Sequence, residues 1–301
     1  MKSQTLTEVR HILQFMEEKG VHVLLSQELR QELDLREYPS FEFSYPKGTT
    51  ISDFQTKNSD YHFTGKGYYE AIDFALSVGG DGTFLTSAAA IGNMNIPILG
   101  VNCGHLGFLA DVQSQDLDEI MHKLVDRQYT IEQRSLLNVT VLDKDGIAKE
   151  DLLMAPNALN EVAILKQGLT NMLTIETKVN GELLHTYHSD GLVIATPTGS
   201  TAYNLSIGGP LVVPQSRGII LTPIAPHSLT VRPIVMPDDW KFDIRVSSRY
   251  DSYMVSVDGR SQSLSTDLSL HVERAPYTIK VVQIGDNSFL KSLRTKLNWG
   301  K

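Results

Sequence analysis

Residues Gly79-Gly80-Asp81-Gly82-Thr83 place a carboxylate among three glycines. An apolar run, Ile72 to Val78 with Asp73 as its one charge, leads in, and an alanine-rich run, Phe84 to Ile91, leads out. This reads as strand, glycine turn, helix. Bare backbone N–H groups at such a helix start can hold phosphate oxygens, helped by the positive end of the helix dipole. A carboxylate among those donors would repel phosphate, so Asp81 points to another task, such as taking a proton from a hydroxyl. The same five residues also make a good tight turn with a local aspartate bond to the backbone. The motif alone leaves both readings open.

A second segment, Thr196 to Pro210, follows the apolar strand Leu192 to Ala195. Pro197 and Gly199 make a turn, Ser200 or Thr201 is suited to cap a helix, and Gly208-Gly209-Pro210 ends that helix. Hydroxyls and N–H groups concentrate there, which suits a nucleotide or ribose. Simple capping is the alternative, although a cap needs one hydroxyl and Thr196, Thr198, Ser200 and Thr201 offer four. Asn160-Glu161 lies in a strand-like run to Leu165, so the two side chains leave opposite faces. An inward polar group needs a partner or ligand, whereas an edge strand would leave both solvated. His188 and Asp190 precede the strand that leads into the hydroxyl-rich turn, which is expected to place Asp190 near it. A His and an Asp two apart can begin a metal site, but with no third ligand in view hydrogen bonding is the better reading. No P-loop and no dinucleotide-binding glycine fingerprint is present.

The first part of the chain alternates helix and strand. Leu6, Val9, Leu13 and Phe15-Met16 recur at helical spacing, with a capping box expected from Thr5 to Glu8 and a stop at Gly20. Val21 to Leu25 reads as a strand, and the pattern from Arg36 to Tyr69 is weak. A buried strand, Ile96 to Val101, feeds a second glycine turn, Gly104 to Gly107. A helix follows from Ser114, with Leu117, Ile120, Met121 and Leu124 on its apolar face. This alternation predicts a parallel α/β sheet with ligands at the carboxyl ends of its strands. Beyond Gln133 the period becomes two, with hairpin signals at Asn180-Gly181 and Asp258-Gly259. Phe289 to Trp299 reads as a closing helix. The expected organisation is an α/β domain over 1–133, an all-β domain over 134–285, and a C-terminal helix over 286–301 returning to the first domain.

The chain has 301 residues, 41% hydrophobic and 21% charged, in the globular range. Its formal charge of −8 disfavours a nucleic-acid partner. The single cysteine, Cys103, cannot form an intramolecular disulfide and reads as a small buried residue rather than a nucleophile. The acidic, amphipathic start is no secretory signal, and no apolar stretch reaches membrane-spanning length. A cytoplasmic protein with no membrane partner is expected.

Taken together, Gly79–Thr83, Asn160–Glu161 and Asp190–Pro210 closely resemble the NAD kinases, as does Val101 to Phe108. The glycine motif alone is shared with diacylglycerol and sphingosine kinases and, loosely, with phosphofructokinases. A lipid kinase would lack the other two segments. The resemblance implies an α/β domain joined to an all-β domain, a homo-oligomer (dimer or tetramer), and NAD and ATP as ligands with Mg²⁺ or another divalent cation. It implies transfer of the ATP γ-phosphoryl group to the 2′-hydroxyl of the adenosine ribose of NAD, with Asp81 as general base. Gly82 and Phe108 match adenosine-pocket positions, and Asn160, Glu161 and Asp190 match positions holding the ribose and nicotinamide. Thr201, Ala202, Tyr203, Asn204, Leu205 and Ser206 match the turn and helix around adenine and ribose, and Asn171 matches another contact. His188 stands where Arg is frequent, which bears on NAD against NADH, and Arg260 stands where some members carry Gln. The family opens with a strand and turn ahead of its first helix; this chain opens almost at the helix, and a truncated or misassigned start is the expectation. A nucleotide-binding regulator without catalysis is the alternative of a different class.

Overall fold

The computed structural model describes residues 3–21, 23, 25, 29, 33, 72–104, 107–110, 112–113, 116–153, 155–168, 172–285 and 288–300. They fall into two units: residues up to 131 with those from 281 onward, and residues 132–280. Each has its own apolar core.

In the first unit, α1 (Ser3–Glu18) turns Val9, Ile12, Leu13 and Met16 inward and stops ahead of Gly20, whose φ is +65°. Thr5 lies inside this helix and is buried, so the expected Thr5–Glu8 capping box does not form; a cap must precede the first turn. β1 (Ala75–Gly79) feeds α2 (Asp81–Ile91), and β2 (Ile98–Asn102), β3 (Val112–Gln113) and α3 (Leu117–Val125) follow. β1 and β2 run parallel with Gly79 opposite Asn102, and β2 runs parallel to β3. Leu117, Ile120, Met121 and Leu124 of α3 join Leu99 and Val101 of β2 in the core. Cys103 is buried at its edge. Burial, then the charge of Glu8, pushes its thiol up to about 11, so it stays protonated and inert near neutrality.

The second unit is a β-sandwich. β4 (Thr130–Leu142), which begins in the first unit, pairs with β5 (Asn157–Ala158). β6 (Glu161–Leu165), β7 (Leu173–Val179), β8 (Glu182–Ser189) and β9 (Gly191–Ala195) follow. A 3₁₀ turn (Thr198–Thr201) and a one-turn helix α4 (Tyr203–Ser206) come next. The remaining strands are β10 (Ile219–Ile224), β11 (Ile234–Met236), β12 (Phe242–Ser247), β13 (Ser252–Val257), β14 (Arg260–Ser265) and β15 (Ser269–Gln283). One sheet has the order β11-β10-β9-β6-β13-β14; β12 lies between β15 and β7, and β7 pairs with β8. Ile164, Ile194, Leu221 and Val255 of the first layer meet Ile175, Phe242 and Ile244 of the second. On the outer face of the six-stranded sheet, Ala163, Val193, Ala195 and Ile220 pack against Ile207 and Val212. β6 and β9 are thus covered on both faces, which is why their apolar runs do not alternate. The hairpins at Asn180-Gly181 and Asp258-Gly259 have positive φ at both turn residues, as the two-residue turn that suits twisted strands requires.

β15 ends in the first unit, where its Val281 pairs in parallel with Ile98 and Val282 and Ile284 enter that core. The last helix, α5 (Phe289–Lys296), also belongs to the first unit. Ser288 caps it by accepting the Lys291 N–H. Among the described residues no helix is long and apolar enough to cross a membrane.

Candidate functional site

In the first unit, β1 delivers Asp81 to the start of α2. Its carboxylate does not cap its own helix. Oδ2 accepts the Phe108 N–H at 2.7 Å, and Oδ1 accepts those of Leu109 at 3.0 Å and Ala110 at 3.1 Å. The loop closes this tightly because residue 107 is glycine: a Cβ there would overlap the carboxylate. Three donors fix the direction of the group, and a carboxylate with about four acceptor sites keeps one for a further donor. Gly82 is exposed one residue on, and Phe108 is half-buried. Lys296 of α5 donates to the Gly107 carbonyl, and its ammonium lies 5.2 Å from the centroid of the Phe108 ring.

The second unit repeats the device. Asp258 accepts the N–H groups of Leu159 at 2.7 Å, Asn160 at 2.8 Å and Glu161 at 3.1 Å. Burial raises its carboxyl, while those amides and Arg260 pull the other way. Arg260 donates to the Asn157 carbonyl at 3.2 Å and stands 4.0 Å from Asp258. Glu161 opens β6, which is interior to its sheet, and Asn160 lies in the bend just before it, so the edge-strand alternative is excluded. Asn160 is buried, and its carbonyl accepts the Thr196 N–H at 2.8 Å. Thr196 Oγ1 donates to the Leu159 carbonyl at 2.6 Å and accepts the Gly199 N–H. Gly199 lies so close to the Asn160 carbonyl that a Cβ would overlap it. Glu161 is pushed up to about 7, first by burial and then by the charge of Asp258, against the Tyr203 N–H. Its Oε2 is buried without a hydrogen-bond partner, as is Nε of Arg260. A buried, unsatisfied carboxylate oxygen is suited to receive a donor from a ligand.

The hydroxyl-rich turn corrects one expectation. Neither Ser200 nor Thr201 caps a helix; the N-cap of α4 is Ala202, which offers no side-chain bond, and the helix lasts four residues. Ser200 instead bonds both the carbonyl and the N–H of Val212, and Thr201 bonds the Thr198 carbonyl at 3.3 Å. Asn204 is fully buried, donating to the carbonyls of Ser200 and Pro210 and accepting from Thr222 at 2.6 Å. It ties the segment together from within, while Tyr203 and Ser206 are exposed and Ala202 and Leu205 half-buried. Tyr203 meets Glu161 through its backbone.

Asp190 is not near that turn. β9 lies between them, and its register pairs Gly191 with Leu165 but Ala195 with Glu161. At about 3.3 Å per residue, the strand separates Asp190 from the Glu161 cluster by its whole length. Asp190 pairs with Lys166 at 2.7 Å, and exposed His188 bonds Thr174 at 3.2 Å. Asn171 lies outside the described residues. The sequence pattern did not point to Asp258 as the acceptor of three amides or to Lys296 at the Gly107 carbonyl. An Asp-Gly hairpin turn was the visible signal for the first, and nothing local marks the second.

Two family models match the chain, the ATP-NAD kinase N-terminal domain over residues 2–129 and the ATP-NAD kinase C-terminal domain over residues 159–284. The chain is 49% identical to an NAD kinase of Bacteroides fragilis over 228 residues, 76% of this chain and 77% of that one. It is 34% identical to an NAD kinase of Cytophaga hutchinsonii over 300 residues, 99% of this chain and 95% of that one. Among solved structures, a yeast NADH kinase complexed with NADH shares the fold at a TM-score of 0.79 and 22% identity, covering 99% of this chain and 84% of that one. An NAD kinase from Archaeoglobus fulgidus in complex with ATP gives a TM-score of 0.62 at 27% identity, over 75% of this chain and 82% of that one. With both domain models matched, and with relatives this similar over three quarters or more of the sequence, the chain belongs to the NAD kinase family.

Proposed function

We propose that this chain transfers the γ-phosphoryl group of ATP to the 2′-hydroxyl of the adenosine ribose of NAD, giving NADP and ADP. The ribose oxygen forms a bond to the γ-phosphorus, the bond from that phosphorus to the β–γ bridging oxygen breaks, and the hydroxyl proton passes to Asp81. The observation that carries this assignment is the Asp81 carboxylate, held by three amides at the end of β1 with acceptor capacity to spare. Phosphoryl transfer asks the protein mainly for positioning and charge. A carboxylate whose direction is fixed before substrate arrives is suited to align the attacking hydroxyl.

Gly82 leaves room at the helix start, and Phe108 offers a ring to the adenosine. Glu161 Oε2 is the acceptor we assign to a ribose hydroxyl, with Asn160 and the Thr201–Ser206 turn around the same nucleotide. Asn204 serves there as the internal tie, and Arg260 acts through Asn157 and Asp258. Asp190, His188 and Asn171 stay in the proposed set on family resemblance. Among the described residues no cluster of acids, histidines or cysteines could hold a metal ion. We assign the divalent cation to the nucleotide, where it would neutralise phosphate charge. Homo-oligomeric assembly and a cytoplasmic setting belong to the same proposal; light scattering and cell fractionation test them.

The test is NADP formation by the purified chain with ATP, Mg²⁺ and NAD, with NADH as the parallel substrate. Product from NAD supports the assignment. Binding of NAD by calorimetry with no product from either substrate would leave a non-catalytic regulator. Asp81→Asn is expected to lower turnover by at least about 10²-fold, the scale of a general base, while NAD binding is nearly unchanged. Full activity in that variant removes Asp81 from its role.

A further inference from the structure

The peptide group joining Gly107 to Phe108 is held at both ends by charged side chains. Its carbonyl accepts from the Lys296 ammonium, and its N–H donates to Asp81 Oδ2 at 2.7 Å, the shortest of the three bonds to that carboxylate. A peptide dipole is negative at oxygen and positive at the amide hydrogen, so a cation at one end and an anion at the other both align with it. Hydrogen bonds in such a chain polarise one another, and strengthening one strengthens the next. The same ammonium sits over the Phe108 ring, where a cation is attracted to the π face.

We infer that Lys296 is a positioning residue for the phosphoryl transfer, acting on Asp81 through the Gly107–Phe108 peptide. Lys296 holds the peptide that holds the carboxylate. α5 is built to deliver it. Ser288 caps the helix start, Leu293 is buried as its anchor, and Lys296 lies in the last turn, where a cation suits the helix dipole. Without the ammonium the peptide is free to tilt, and of the three amides that fix Asp81 the one on Oδ2 loosens while those of Leu109 and Ala110 on Oδ1 remain.

This inference rests on the reading that Asp81 faces the ribose hydroxyl, and the experiment separates the two. Turnover is measured for the full chain, Lys296→Met, Lys296→Arg, Asp81→Asn and the Asp81→Asn/Lys296→Met double variant, with thermal melting on each. Lys296→Met is expected to lower kcat by about tenfold with an unchanged melting temperature, and Lys296→Arg, which keeps charge and donor, to recover most of the loss. In the Asp81→Asn background the Met substitution should cost nothing further in kcat, because its effect runs through the missing carboxylate. A merely structural lysine would cost the same factor in both backgrounds, and that result overturns the inference. So does wild-type kcat in Lys296→Met. If Asp81→Asn is itself fully active, the reading of Asp81 has failed as well. Should Lys296→Met lose its fold, Lys296→Gln carries the same comparison.

Discussion

Glu161 shows how one residue's setting becomes measurable. Its carboxyl is pushed up to about 7 by burial and by the Asp258 charge. A carboxyl with a raised folded-state value binds its proton more tightly when folded than when unfolded. Folding is therefore favoured while the group is protonated, and stability declines as pH rises from the unfolded value of 4.5 toward about 7. In the ligand-free protein, Glu161→Gln removes this dependence and is expected to melt above wild type at pH 8, by roughly 5 °C, with little difference at pH 4.5. Melting curves at the two pH values check it. NAD affinity in the same variant should fall, since an amide oxygen is a weaker acceptor than a carboxylate.

Two loops of the molecule are each closed around one aspartate. Asp258 satisfies three consecutive amides of the segment that carries Asn160 and Glu161. Asp258→Ala leaves those donors buried without an acceptor, and we expect a loss on the order of 3–5 kcal/mol in urea unfolding. Gly199→Ala attacks the same junction from the other side, since its methyl group meets the backbone of Asn160 rather than a yielding side chain. Overpacking against backbone is expected to cost about 1–3 kcal/mol and to weaken NAD binding more than ATP binding. Equal weakening of both ligands would show that the junction does not serve the dinucleotide. Helix α2 and strands β6 and β9 are passive in comparison: they bring the loops to their places and bury what lies between.

At the scale of the whole molecule, residues 281–301 belong to the first unit although 149 intervening residues, 132–280, form the second. Val282 and Ile284 sit in the first core. A chain ending at residue 280 is expected to lose the calorimetric transition of the first unit while keeping that of the sandwich, whose core it leaves whole. Loss of both transitions would show that the sandwich does not fold without the first unit. With the unit that carries Asp81 unfolded, the truncated chain should form no NADP.

Much of this was legible in the residues, for local reasons. Helical spacing, period-two alternation, the Asn180-Gly181 and Asp258-Gly259 turns and the strand-turn-helix around Asp81 depend on neighbours a few residues away. The family resemblance rests on such segments in order, and the domain models and relatives bear it out. Other features needed the fold. Whether Asn160-Glu161 lay inside its sheet or at the edge depended on strand order, and the position of Asp190 depended on the register of β9 against β6. The hydroxyls of the Thr196–Thr201 turn looked like caps because capping is the commonest local use of such residues, yet Thr196 bonds the distant Leu159 carbonyl and Ser200 the backbone of Val212. The two aspartate cradles join residues 27 to 29 and 97 to 99 positions apart, and Lys296 reaches Gly107 across 189. The sequence by itself determined which residues could form a turn, a strand or a charge. Only the tertiary structure decided which amides each carboxylate would hold, because a hydrogen bond is specified by distance in space and leaves no period along the chain.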